Sequence, residues 1–225
     1  MKKIAIIAAM PGELRPLVEG WKHEPRNGVD LWRKSSQGNE WVAACAGAGQ
    51  DRASRAFAEA ARGGTVSMAL SIGWVGALSA EFEPGNVYRV DGVIDVRTGE
   101  RFECVGAGKT SVWLATAPRV ADEQEKQRLC STYGAALVDM EAAAIARLAR
   151  MRGIPFYCIK GISDGYKDRL PDFNRFMTKT GQFQLAKFVV FTLLRPLSWP
   201  VLIRMGENSK KAALRIAESV REVLS

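Results

Sequence analysis

Histidine is the scarcest reactive residue in this chain: His23 is the single one among 225 residues. It sits in a polar, loop-like stretch. That excludes a His-based catalytic triad and any zinc site built on histidines. Cysteine does not make up the deficit. Cys45, Cys104, Cys130 and Cys158 lie far apart, with no Cys-x-x-Cys pair. Without a secretory leader they are expected to be reduced thiols in a cytoplasmic protein. Met1-Lys2-Lys3 does precede an apolar run, but Glu13 and Arg15 follow too soon for a leader. A membrane-length apolar run is also missing: Phe188 to Met205 is interrupted by Arg195, Pro196, Pro200 and Arg204. The formal charge is +8, yet no Lys/Arg run reaches five residues and the cations are dispersed among acids. The surface should attract small anions or acidic lipid, and nucleic acid is not expected as a partner.

What is present is a large apolar fraction, 47%, enough to fill a core. Lys3–Ala9, Val66–Ile72 and Pro155–Ile162 are continuous apolar runs that read as buried strands. Leu31–Ser35 and Trp41–Ala46 read as paired strands; Val87–Val96, Ser111–Ala117 and Ala135–Val138 are further candidates. Helical patterns cover Glu13–Glu19, Arg52–Arg62, Asp122–Tyr133, Glu141–Arg152, Phe183–Leu194 and Lys210–Leu224. In the last of these, Leu214, Ala217, Val220 and Leu224 share one face. Arg195-Pro196 and Trp199-Pro200 should break the last two helices apart. The alternation predicts one α/β domain over residues 1–225: a wound fold with a central mixed sheet and a helical C-terminal segment at about 170–225.

In a wound sheet, ligands collect where strands end at their carboxyl side. Glu13 follows the first strand. Gly73-Trp74-Val75-Gly76, read as a glycine-rich turn, follows the strand Val66–Ile72. Ser163-Asp164 ends the strand from Pro155. Asp139-Met140-Glu141 lies where a short strand meets a helix, with Asp139 a natural helix N-cap. Taken singly, each has an ordinary structural explanation. Glu13 suits a solvated first helical turn, and Ser163-Asp164-Gly165 suits a turn.

Together, Ala9-Met10-Pro11-Gly12-Glu13, Ser71–Leu78, Val138–Ala144 and Lys160–Asp164 resemble the nucleoside phosphorylase and nucleosidase superfamily. The similarity covers roughly residues 3–165. It implies a three-layer fold with helices on both sides of the sheet, and cleavage of the bond between a purine, adenine above all, and ribose. It also implies roles. Glu141 would grip the ribose hydroxyls, and Met140 would pack on the sugar. Asp164, beside Ser163, would be the acid near purine N7. Glu13 would activate water, as in nucleosidases. Asp139 stands where nucleosidases have a glutamate. Gly73 and Trp74 occupy the phosphate-side turn, where the indole departs from the phosphate cradle of phosphorylases. Arg15, Arg52, Arg55 and Arg119 remain as phosphate contacts, and Arg119 or Trp74 as the group stacking on the base. The resemblance implies no metal and no organic cofactor, with phosphate left open as a co-substrate. Dimers or trimer-based assemblies are usual in the family, so a homo-oligomer is expected.

The segment Leu170–Phe176, with Gly181-Gln182-Phe183, Leu194-Arg195-Pro196 and Trp199-Pro200, is similar to hopanoid-associated phosphorylases of bacteria. That implies a lipid-linked adenosine such as adenosylhopane as substrate. Phe188, Val189, Phe191, Leu193, Trp199, Val201 and Leu202 would then form an apolar mouth. Lys187, Arg195 and Arg204 would meet anionic head groups in a peripheral membrane contact. Two alternatives stand beside this one: a methylthioadenosine/S-adenosylhomocysteine nucleosidase, and a non-catalytic nucleoside- or lipid-binding protein.

Overall fold

Alternate residues of strand β1 (Lys2–Ala8) belong to two different cores. Ala5 and Ile7 pack into one, Ile4, Ile6 and Ala8 into the other. This is the two-residue period of a strand buried on both faces. Strand β4 (Asn39–Cys45) divides likewise: Val42 and Ala44 face one side, Trp41, Ala43 and Cys45 the other. The first core is closed by helices α2 (Gln50–Ala60) and α4 (Ala142–Met151). The second is closed by the short helix α1 (Pro11–Leu14) and the long helix α5 (Trp199–Leu224). The fold is therefore a three-layer α/β architecture. Its computed structural model describes residues 2–36, 38–106, 111–168, 171–176, 178, 184, 187–188, 191 and 199–224.

The sheet is mixed. From one edge the strands are β2 (Lys22–His23), β3 (Asp30–Ser36), β4, β1 and β5 (Val66–Ala77). Beyond them come β10 (Leu137–Asp139), β9 (Trp113–Thr116), β7 (Gly92–Asp95) and β8 (Arg101–Glu103). Strand β11 (Phe156–Asp164) pairs with β5 and with β6 (Val87–Arg89). β5 is the hinge of this plan. Along one edge it pairs in parallel with β11, from Ala69 to Gly76. The opposite edge pairs first with β1, up to Ser71, and then with β10, from Gly76. Between those two partners, at Ile72–Val75, that edge of β5 is left without a strand. A cavity lined in part by Trp74 and Val75 opens there. A third apolar cluster, centred on Leu129 of helix α3 (Glu123–Tyr133), packs beside β9 and β10.

Several sequence expectations need correction. Gly73–Gly76 is not a turn: β5 runs through it to Ala77, because β11 keeps hydrogen-bonding that edge. Gly73 supplies the twist instead, with φ of 143°, a conformation that side chains resist. Val87–Val96 is two strands, since β6 joins β11 while β7 joins β9 and β8. His23 is in a strand rather than a loop, stacked on Trp32 at 4.7 Å and 3.0 Å from Asp30. The last helix begins at Trp199, well before Lys210, with Pro200 in its first turn, where proline is tolerated. Its buried face is Ala213, Ile216, Ala217, Val220 and Leu224, and Leu214, about 100° away, is 53% exposed. The helix expected over Phe183–Leu194 falls largely outside the described residues, as do Val189, Leu193 and Arg195.

Candidate active site

Pro11 starts α1 and places Glu13 in its first turn. The side chain does not reach solvent; it is 4% exposed. Its carboxylate fills the unpaired edge of β5. Oε1 accepts from the Trp74 backbone N–H at 2.8 Å, and Oε2 from those of Ala9 and Met10 at 2.8 and 2.7 Å. Gly73 is required for this approach, since a Cβ there would lie 2.7 Å from Oε1. Burial raises the pKa of Glu13 above its ordinary 4.5, against the pull of these N–H groups and of Lys160. Three of roughly four acceptor positions on the carboxylate are used, leaving one on Oε1.

β10 delivers a second acidic group. Asp139 is buried and accepts from Thr116 Oγ1 at 2.7 Å and from the Ala142 N–H at 3.0 Å, while the N-cap position of α4 falls to Glu141 rather than to Asp139. Lys160 Nζ lies 3.0 Å from Asp139 and also donates to Ser71 Oγ at 3.0 Å. Glu141 accepts from the Gly49 N–H at 2.6 Å and from the Met140 N–H at 3.2 Å. Burial first, and the neighbouring Asp139 charge second, push its pKa up to about 8. Lys160 opposes that rise. For Lys160 itself burial favours the neutral form, but Asp139, Cys158 and Glu141 together outweigh it and raise its pKa. One buried cation thus sits behind three acids.

β11 delivers the third group. Its register with β5 shifts between Ile162 and Asp164, and such an irregularity re-aims side chains. Ser163 Oγ lies 2.7 Å from Asp164 Oδ1 and 3.2 Å from the Val75 carbonyl oxygen. Asp164 Oδ2 is in a buried ion pair with Lys126 of α3, whose ammonium also donates to the Gly165 carbonyl at 2.8 Å.

These groups line one cavity of ≈ 290 Å³. Glu13, Trp74, Arg119, Asp139, Met140, Glu141, Ser163 and Asp164 all contribute to its wall. Gly73 stands behind it, under Glu13. Arg119 is exposed at the rim. Arg15 instead faces an adjoining groove, Arg52 donates to the Ala46 carbonyl at 2.5 Å, and Arg55 donates to that of Asn27. Those three do not join the cavity lining. Trp74 is pinned by its indole N–H, which donates to the Ser209 carbonyl of α5 at 2.9 Å, and by close packing over Gly12. It forms the wall between the cavity and the groove. Lys126, Lys160, Phe173 and Met205 were missed from sequence. A lysine inside the apolar run Phe156–Ile162 was a usable signal; Lys126, in a polar helix, gave none.

A wound α/β sheet with acids at three strand ends facing one cavity defines a protein that handles a small polar ligand, able to stabilise positive charge beside it. The chain belongs to the Phosphorylase superfamily, whose family model matches residues 3–118 and 109–194. A 46-residue stretch is 46% identical to the 5′-methylthioadenosine/S-adenosylhomocysteine nucleosidase of Treponema pallidum (strain Nichols). That stretch is 20% of this chain and 17% of that protein. Among solved structures, a mutant Helicobacter pylori MTAN with 5′-methylthioadenosine in its active site superposes with a TM-score of 0.76 at 16% identity, covering 100% of this chain and 98% of that one. The futalosine hydrolase of the same organism gives a TM-score of 0.76 at 15% identity, covering 99% and 97%.

Proposed function

We propose that the protein cleaves the N-glycosidic bond of a purine nucleoside, releasing adenine. The carrying observation is the convergence of Glu13, Glu141 and Asp164, from three strand ends, on one cavity. Glu141, with Met140 beside it, binds the ribose, its carboxyl group reaching the hydroxyls. Asp164, held by Ser163, meets the base. As the C1′–N9 bond breaks, positive charge builds on the sugar and negative charge on the purine. The acids stabilise the first, and a proton delivered to the base neutralises the second.

Hydrolysis is favoured over phosphorolysis. Glu13 has one acceptor position free, enough to take a proton from water, and it already holds the Trp74 N–H that an anion would need. Trp74 itself fills space beside it. The substituent at the ribose 5′ carbon is proposed to be large and apolar, as in a lipid-linked adenosine. In support, a groove of ≈ 1250 Å³ shares Trp74, Phe173 and Met205 with the cavity, and Phe188, Leu202 and Leu214 line it. Trp199 and Ile203, 43% and 61% exposed on α5, offer apolar surface for peripheral membrane contact. None of the described helices is long and apolar enough to cross a membrane. A smaller methylthio or homocysteine substituent is the second reading, favoured by the Treponema pallidum sequence match.

Incubation with adenosine derivatives of increasing 5′ apolarity, with and without phosphate, tests these points together. Phosphate-independent release of adenine is expected, together with the 5′-substituted ribose carrying a hydroxyl at C1′. Appearance of the 5′-substituted ribose 1-phosphate would overturn the hydrolytic reading. Tight nucleoside binding with no release from any derivative would replace the enzyme with a binding protein.

A further inference from the structure

The Lys126–Asp164 pair changes what each partner offers a base. An ionised carboxylate accepts hydrogen bonds and cannot donate one. Both side chains are nearly water-free, 3% and 8% exposed. The pair faces the cavity above Gly76, whose missing side chain makes room for it. A Cβ there would lie 3.0 Å from Asp164 Oδ2 and 3.3 Å from Lys126 Nζ. Two of the three ammonium donors go to Asp164 and to the Gly165 carbonyl. The third has no described protein partner. On Asp164, Oδ1 receives Ser163 and Oδ2 receives Lys126, so each oxygen keeps an acceptor position. The cavity therefore presents a donor and an acceptor side by side. Adenine's outer edge has the complementary pattern, an acceptor at N7 and an amino donor at N6.

Building on the proposed function, we propose that Lys126, rather than Asp164, contacts purine N7 and supplies its proton, while Asp164 accepts from the exocyclic amine. The C1′–N9 pair of electrons passes to the purine, N7 takes a proton from Nζ, and neutral Lys126 remains beside Asp164. The attacking water gives hydroxide to C1′ and a proton to Glu13. Return of that proton through solvent recharges Lys126 and balances the cycle. The arrangement also selects adenine, because a 6-oxo purine would set a second acceptor against the Asp164 carboxylate.

The test uses free base, so it does not depend on the 5′ substituent. Calorimetric affinities for adenine and 7-deazaadenine, which lacks the N7 acceptor, are compared in wild type, Lys126→Met, Asp164→Asn and the double variant. Wild type should prefer adenine by at least about tenfold, since the analogue leaves a buried donor unpaired. Lys126→Met should bring that preference to within about twofold, while Asp164→Asn keeps most of it. The double variant removes both buried charges together and avoids leaving one unpaired; it too should fail to discriminate. Discrimination that survives in Lys126→Met and is lost in Asp164→Asn would return the N7 contact to Asp164 and overturn the proposal. Failure of wild type to bind either base would remove the proposed function as well.

Discussion

Glu141 and Glu13 occupy the same chamber, and burial acts on both in the same direction. Glu141 bears the additional charge of Asp139, which is why its carboxyl is pushed as far as about 8. A folded-state pKa raised above the unfolded value favours folding at low pH, and that advantage fades as pH climbs from about 4.5 through about 8. A glutamine cannot ionise and has no such dependence. The melting temperature of wild type minus that of Glu141→Gln should therefore be larger at pH 6 than at pH 9, measured by calorimetry. An equal difference at both would mean that the carboxyl is not held in this environment. As the proposed base, Glu13 would have to be ionised to take a proton from water. The acid limb of kcat/KM, which reports the free enzyme, should accordingly lie above pH 4.5, the side to which burial moves this group.

At the scale of elements, the site depends on where β5 loses one partner before gaining the next. Two glycines make the packing around this gap feasible. A Cβ on Gly73 would collide with Glu13 at a backbone angle that favours glycine. Gly73→Ala should cost about 1–3 kcal/mol of stability, read by denaturant titration, and most of the activity. On the other face, a Cβ on Gly161 of β11 would lie 2.7 Å from the Ala212 Cβ of α5. Gly161→Val should push α5 outward at a cost of about 1–3 kcal/mol, and with it the Ser209 carbonyl that holds Trp74. The buried strands and the amphipathic α4 were legible because apolar runs and helical spacing are local signals. The passage of β5 through Gly73–Gly76 was not. Glycine clusters suggest turns, and only long-range pairing with β11 shows otherwise. Leu214 lies off the buried face that its spacing suggests, because a helical stripe read from a few residues can slip by one position.

For the whole molecule, the acids at strand ends could be read from sequence because each sits at a change of pattern. Their cations could be read only in part: Lys160 interrupts an apolar strand, while Lys126 looks like any solvated helix residue until α3 packs over β11's end. The groove beside the cavity comes from α1, α5 and the Phe173 region meeting in space, so no local pattern announces it. If it carries the 5′ substituent, Leu202→Glu should raise KM for long apolar adenosine derivatives by tenfold or more and leave methylthioadenosine within about twofold, since a buried charge is costly against an apolar chain. Equal effects on both would place the substituent elsewhere. The proposed reaction breaks a nucleoside bond in this cavity with Glu13 as the base. The most direct test is the rate of free adenine release by wild type and by Glu13→Gln on the best substrate. A loss of about 10²- to 10⁴-fold in kcat is predicted, the usual contribution of a positioned general base. A variant that releases adenine at nearly the wild-type rate would contradict it.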